Sequence, residues 1–195
     1  MAAIELDKGS TALLIGDCYA DIMSSLPHAV DRQCLARTVR LREAARKAGL
    51  LVCYSATVFR PGYPEIGDYN KILVPRKLSG NPAVADPLTL IHPALRPAGD
   101  EVVVGKRRVN ALFGTDLPIV LSAHRIRTLV LLGYATSGVV LSTSRYAADM
   151  DLRVLVVEDC CADQDAAVHD FLCQKIFPRQ ADVVQSTDLI ATLGE

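Results

Sequence analysis

The chain has 195 residues, half of them hydrophobic and 22% charged, with 21 Lys and Arg against 22 Asp and Glu for a net charge of −1. That length supports one domain with a full core, and the even charge balance argues against a nucleic-acid or membrane-surface role. No apolar run reaches membrane-spanning length, and the N-terminal MAAIELDKGS lacks the basic and long apolar regions of an export signal. The six cysteines, Cys18, Cys34, Cys53, Cys160, Cys161 and Cys173, show no C-x-x-C spacing. They read as reduced thiols of a cytoplasmic protein, mostly small buried hydrophobes.

In chain order, residues 11–16, TALLIG, form an apolar strand that delivers Asp17. Pro27 and His28 belong to a loop. The spacing predicts a helix over 31–48, with Cys34, Leu35, Thr38, Leu41, Ala44 and Ala45 on its apolar face and Gly49 ending it. A second strand covers 50–58. Residues 60–90 are rich in Gly, Pro and polar residues without a clear period, and irregular stretches of that length are often functional. A third strand, 101–105, delivers Lys106, and a helix capped by Thr115 runs over 115–124.

Residues 129–132 form a fourth strand that Gly133 breaks. A small-residue turn follows, Ala135 to Gly138, and then a helix with Val139, Val140, Thr143, Tyr146 and Ala147 on one face. A strand over 152–157 ends in Glu158 and Asp159, and a helix spans 163–176. A short sixth strand covers 181–184, with Ser186 or Thr187 capping a last helix. There is no repeat, no low-complexity segment and no linker, so residues 1–195 read as a single domain.

Strands alternating with helices imply a parallel sheet covered on both faces. Right-handed crossovers bring all strand ends to one side, and ligands bind there, where strand order reverses. Asp17, Lys106 and the turn after Gly133 all sit at such ends. The turn also feeds a helix N-terminus, which attracts a bound anion or a developing oxyanion.

A carboxylate held like Asp17 has its pKa raised by desolvation, which suits an acid or base; the plainer reading is a helix cap. Lys106 either pairs with Asp17 and stabilises negative charge, or joins Arg107 and Arg108 in a solvated basic turn. Thr136 and Ser137 lie in the turn. None of His28, His92, His124 and His169 stands in an obvious partner position, so a Ser-His-Asp triad is unsupported. Cys160 and Cys161 follow two acidic residues that raise a thiol pKa, and they read as structural. Cys18 points away from Asp17 by strand alternation and packs in the core. No cluster has metal-ligand spacing and no Gly-rich phosphate loop is present, so neither a metal nor a cofactor is expected.

These blocks resemble the isochorismatase-like hydrolases, the cysteine-hydrolase superfamily, over nearly the whole chain. Asp17-Cys18-Tyr19-Ala20-Asp21 matches a D-x-Q-x-D-type segment. Residues 106–117, KRRVNALFGTDL, match a K-x-x-x-S-A-F-x-x-T-x-L-like segment, and residues 133–140, GYATSGVV, match a G-x-A-T-x-x-C-V-like turn. Residues 156–162, VVEDCCA, match a V-x-x-D-x-x-A-like strand end. The resemblance implies a three-layer α/β/α, Rossmann-like fold with a central six-stranded parallel sheet, and a non-proline cis peptide at Tyr134–Ala135. It also implies a small-molecule substrate and a homo-oligomer.

The departures direct the chemistry. Val139 stands at the position of the nucleophilic cysteine, Tyr19 replaces Gln and Asn110 replaces Ser. The metal ligands of nicotinamidases have no counterpart around residues 55–62. True isochorismatases are similar in keeping the Asp and Lys without the thiol; they hydrolyse a vinyl ether. The resemblance therefore implies Asp17 as general acid and Lys106 as the cation on a substrate carboxylate or developing charge. Ala135, Gly138 and Val139 form the anion pocket, and Tyr19, Phe59, Arg60 and Tyr134 are candidate substrate contacts. The other function class is a family member that keeps the fold as a binding or assembly module.

Overall fold

Thr11–Gly16 (β1) is buried along its whole length, as a strand covered on both faces must be. The computed structural model to which it belongs describes residues 4–194, so the first three residues of the N-terminal stretch fall outside it. After β1 come Ala20–Ser25 (α1), Pro27–Asp31 (α2), Cys34–Lys47 (α3) and Leu51–Thr57 (β2). Val74–Leu78 (α4), Val102–Lys106 (β3), Leu117–Ala123 (α5) and Thr128–Tyr134 (β4) follow. Leu141–Asp149 (α6), Arg153–Ala162 (β5), Ala166–Phe171 (α7), Asp182–Val184 (β6) and Ser186–Leu193 (α8) complete the chain.

The strands form one all-parallel six-stranded sheet in the order β3-β2-β1-β4-β5-β6. Strand order reverses between β1 and β4, so the crevice rule points at the ends of those two strands. Right-handed crossovers running outward in both directions place α3 and α6 on opposite faces. Arg46 of α3 reaches the Tyr54 hydroxyl at 3.4 Å, so Tyr54 marks the α3 face of β2. By alternation Ser55 and Thr57 point the other way, toward α6.

Several boundaries differ from the sequence reading. Pro27 opens α2 instead of lying in a loop, because its fixed φ suits a first helical turn. Gln33, at φ 53°, then separates α2 from α3, so the helix predicted over 31–48 begins at Cys34. On α3 the buried face takes in Arg42, whose guanidinium meets Glu43 at 2.6 Å and the Ala94 carbonyl at 3.1 Å. The stretch 60–90 contains α4 and a short turn, Pro87–Thr89, and packs a small core of its own from Phe59, Tyr63, Ile66 and Leu73.

Gly133 does not end β4. It lies at φ 144°, where a Cβ would sit 2.1 Å from the Gly16 carbonyl oxygen, so glycine is what lets β1 and β4 approach here. β5 runs on to Ala162, which puts Glu158, Asp159 and both cysteines inside the strand. The helix predicted over 163–176 starts at Ala166, capped by the Asp165 carboxylate, and loosens from Leu172. Neither Ser186 nor Thr187 caps α8; the Ser186 amide and hydroxyl both donate to Asp159, at 2.8 and 2.7 Å. On α6 and the turn before it the expected face holds at Val139, Val140, Thr143 and Ala147, all buried; only Tyr146 departs from it, lying exposed while Ser144 is buried.

Candidate active site

The end of β1 turns sharply at Asp17, whose φ is 51° and whose amide donates to the Ser55 carbonyl at 2.9 Å. That turn aims the carboxylate across β2 toward β3. Thr57 of β2 pairs in register with Lys106 of β3, which brings both side chains to the same carboxylate. Asp17 Oδ2 lies 2.7 Å from Lys106 Nζ. Asp17 Oδ1 accepts from the Tyr19 hydroxyl at 2.6 Å and from the Thr57 hydroxyl at 3.4 Å. Lys106 also donates to Thr57 Oγ1 at 2.5 Å and to the Arg108 carbonyl at 3.2 Å, so its three N–H bonds have three acceptors.

Lys106 is 1% exposed and Asp17 8%, which removes the reading of a solvated basic turn. Burial raises the Asp17 carboxyl pKa from its ordinary value. Lys106, Tyr19 and Thr57 pull it back without cancelling the effect of burial. The pair is thus an ion pair whose acid component holds its proton to higher pH than a free aspartate.

Beside it lies the turn between β4 and α6. The peptide bond Tyr134–Ala135 is cis. The Val139 methyls rest on β1: a Cβ on Gly16 would fall 3.0 and 3.2 Å from them. Gly16 thereby makes room for the Val139 side chain against β1, one residue before Asp17. The turn amides are partly engaged from below. Ser137 N donates to Asp163 Oδ2 at 2.7 Å, and Gly138 N and Val140 N donate to the Ala135 carbonyl at 3.0 and 3.4 Å.

A second polar chain braces the turn, and it corrects the expectation that no histidine has a partner there. The Thr136 hydroxyl and His169 Nδ1 are 2.8 Å apart, and His169 Nε2 lies 3.0 Å from Glu158 Oε1. Glu158 also meets Arg32 at 2.5 Å and Gln185 at 2.9 Å. His169, then these partners, hold its carboxyl down at about 2 against the opposing effect of burial. With a carboxylate at Nε2, that nitrogen carries the proton and Nδ1 accepts from Thr136. Thr136 and His169 are both 0% exposed and bonded to each other, so this Thr-His-Glu arrangement supports the turn. No local sequence signal marked it: α7 follows β5 directly, but that β5 neighbours β4 comes only with the fold.

The remaining expected residues lie as follows. Tyr19 is joined to Asp17, and Ala135, Gly138 and Val139 form the adjacent turn. Phe59 is buried in the small core, its ring 5.5 Å from that of Tyr63. The Arg60 side chain is 67% exposed and pairs with Glu65 at 2.7 Å. Tyr134 is buried in the core, on the side of Cys34. Asn110 ties the loop after Lys106 to α6, donating to the Ser142 carbonyl at 2.8 Å and accepting from Leu112 N at 2.7 Å. All six cysteines are buried. Burial drives the Cys160 and Cys161 thiols far up, away from the reactive thiolate form. Among the described residues no group of three or more His, Cys, Asp and Glu is placed to hold a metal, and no helix is long and apolar enough to cross a membrane.

At the other end of the sheet a cleft of about 590 Å³ opens beside Lys8, Arg46, Glu101 and His124. Its main charges are already engaged, Arg46 with Glu101 at 2.7 Å and Lys8 with the Leu193 carbonyl at 2.9 Å.

The sequence profile described as the Isochorismatase domain matches residues 11–188. The chain belongs to the isochorismatase family. An uncharacterised isochorismatase family protein of Escherichia coli O157:H7, YecD, is 30% identical over 194 residues, covering 97% of this chain and 100% of that one. A maleamate amidohydrolase of Pseudomonas putida is 28% identical over 149 residues, 76% of this chain and 69% of that one. Among solved structures, an isochorismatase family protein from Burkholderia thailandensis superposes with a TM-score of 0.82 at 27% identity, covering 99% of this chain and 98% of that one. Members of this family include hydrolases, and the six-stranded parallel α/β fold agrees with that membership.

Proposed function

We propose that this family member hydrolyses a small carboxylated vinyl ether, of which isochorismate is the nearest chemical precedent, without a covalent cysteine nucleophile. The observation that carries the reading is the buried Asp17–Lys106 pair, with Val139 packed on Gly16 where the resemblance has the nucleophilic cysteine. A vinyl ether needs a proton delivered to carbon and water added to the cation that results. In this mechanism a C–H bond forms at the vinyl carbon as the Asp17 O–H bond breaks. Water then adds to the neighbouring carbon; one of its protons returns to Asp17 and the other passes to the ether oxygen as the C–O bond breaks, releasing pyruvate and the hydroxyl-bearing ring. Lys106 holds the substrate carboxylate and stabilises developing charge. The turn of Ala135, Gly138 and Val139 lines the anion pocket at the entry to α6. Burial of Asp17 favours its acid form, which suits proton donation.

The thioester route of cysteine-dependent relatives is closed in this reading. Cys18 is next to Asp17 in sequence, but its thiol turns back to the Gly16 carbonyl at 3.6 Å, and burial pushes its pKa well up. The small-molecule substrate, the homo-oligomer and the single domain belong to the same proposal.

The missing thiol equally suits a second reading, a small-molecule-binding or assembly module that has lost turnover. Isochorismate turnover by the purified protein beside Asp17→Asn, read as pyruvate release, separates the two. The proposal expects wild-type turnover and a loss of roughly 100-fold or more in the variant, the scale of a lost general acid. No turnover by the wild type would remove isochorismate and favour the binding module.

A further inference from the structure

We infer that Tyr19 is a positioning residue for Asp17, and that its phenol decides which carboxylate oxygen carries the reactive proton. This rests on the reading of Asp17 as the acid. The phenol oxygen has two partners, Asp17 Oδ1 at 2.6 Å and the Thr57 amide at 2.5 Å. The amide can only donate, so the phenol accepts there and sends its single proton to Oδ1. The Thr57 hydroxyl accepts from Lys106 and gives its own proton to the same Oδ1. Both contacts at Oδ1 are therefore donors, and that oxygen is closed to protonation.

Oδ2 is the oxygen left to hold a proton, and it faces Lys106 at 2.7 Å. The Lys106 N–H takes one of the two Oδ2 lone pairs and the other is open to a proton. A substrate carboxylate draws that N–H away and frees Oδ2 further. The remaining two N–H bonds keep Thr57 Oγ1 and the Arg108 carbonyl. In this sequence substrate draws off the Lys106 proton donor, a solvent proton bonds to Oδ2, and that O–H bond breaks as the vinyl carbon is protonated. Tyr19 keeps the carboxylate from rotating throughout. Tyr19 stands where the resemblance has Gln, so the device belongs to this chain's own sequence.

Every element packed around the carboxylate contributes to this balance. β3 supplies Lys106 and β2 supplies Thr57. The stretch after β1 supplies Cys18 and Tyr19, and the turn before α6 presents the uncharged Val139. Burial pushes both Cys18 and Tyr19 well above their usual values, so neither titrates across the carboxylate range.

The test is a carbon-13 NMR titration of the Asp17 carboxyl in the wild type, in Tyr19→Phe and in Tyr54→Phe. The last is a control whose phenol donates to Glu101 at 3.1 Å. Losing a donor to the charged form raises a carboxyl pKa, so the Asp17 midpoint moves up by about one unit in Tyr19→Phe and stays in place in Tyr54→Phe. An unmoved midpoint in Tyr19→Phe overturns the inference. Should that variant fail to fold, the wild type still decides: the Tyr19 Cζ resonance must shift with the Asp17 midpoint, and a resonance indifferent to it overturns the inference. No substrate enters either measurement, so a failed isochorismate assay and a failed positioning role are told apart.

Discussion

Lys106 is the residue on which the site's stability and chemistry meet. A buried ammonium is tolerated only because Asp17, Thr57 and the Arg108 carbonyl take all its N–H bonds. Replacing it with Met removes the charge that lowers the Asp17 pKa and breaks a buried pair. Urea denaturation of Lys106→Met is expected to show a loss of about 3 kcal/mol, with the Asp17 carboxyl titrating higher than in the wild type. Unchanged stability would mean that the pair is not formed in solution. Gly133 is the other residue with no freedom. A Cβ 2.1 Å from the Gly16 carbonyl cannot be accommodated by a rotamer change, because both atoms are fixed to the backbone. Gly133→Ala is expected to unfold or lose several kcal/mol by the same urea assay, and near-native stability would show that β1 and β4 stand further apart. At this scale the sequence was informative where a residue followed an apolar strand, as Asp17 and Lys106 do. It misread Gly133 as the break of the strand, since an apolar run does not tell a glycine that ends a strand from one that admits a close approach.

Among the elements, β5 and α7 act on the site through the turn. Glu158 of β5 holds His169 of α7, and His169 holds Thr136. The Glu158 carboxyl titrates at about 2 in the fold against the 4.5 of an unperturbed glutamate, so it contributes stability above the unfolded value that is lost as pH falls toward 2. The size of that contribution is on the order of 3 kcal/mol. Glu158→Gln should therefore flatten the fall of urea stability between about pH 5 and pH 2; an undiminished acid loss in the variant would contradict the coupling. Thr136→Val, which keeps shape and removes the hydroxyl, should cost about 1–3 kcal/mol by leaving His169 Nδ1 unpaired, with Thr136→Ser near the wild type. The helices were the less legible elements. Period and capping found α3 and α6, but Gln33 in the left-handed region moved the start of α3 and the loosened turn after Phe171 moved the end of α7. Those features are set by packing that no local pattern encodes.

Across the whole molecule, alternation of strands and helices was enough to read the parallel sheet. The strand order, which places the crevice between β1 and β4, came with the structure. The Thr136–His169 contact was hidden for the same reason: its partners are 33 residues apart and meet only once β4 and β5 are neighbours. The burial of all six thiols makes a prediction at this scale. The native protein should react negligibly with a thiol-selective reagent, and any turnover should survive that treatment. Rapid loss of turnover on alkylation would bring a cysteine back into the mechanism.

The pH dependence of kcat/KM on isochorismate tests the central claim most directly. Asp17 as general acid must be protonated to act. The rate is therefore predicted to be high below the Asp17 midpoint and to fall as pH rises through it, with that limb absent in Asp17→Asn. A rate that rises through the same midpoint would make Asp17 a base and contradict the account.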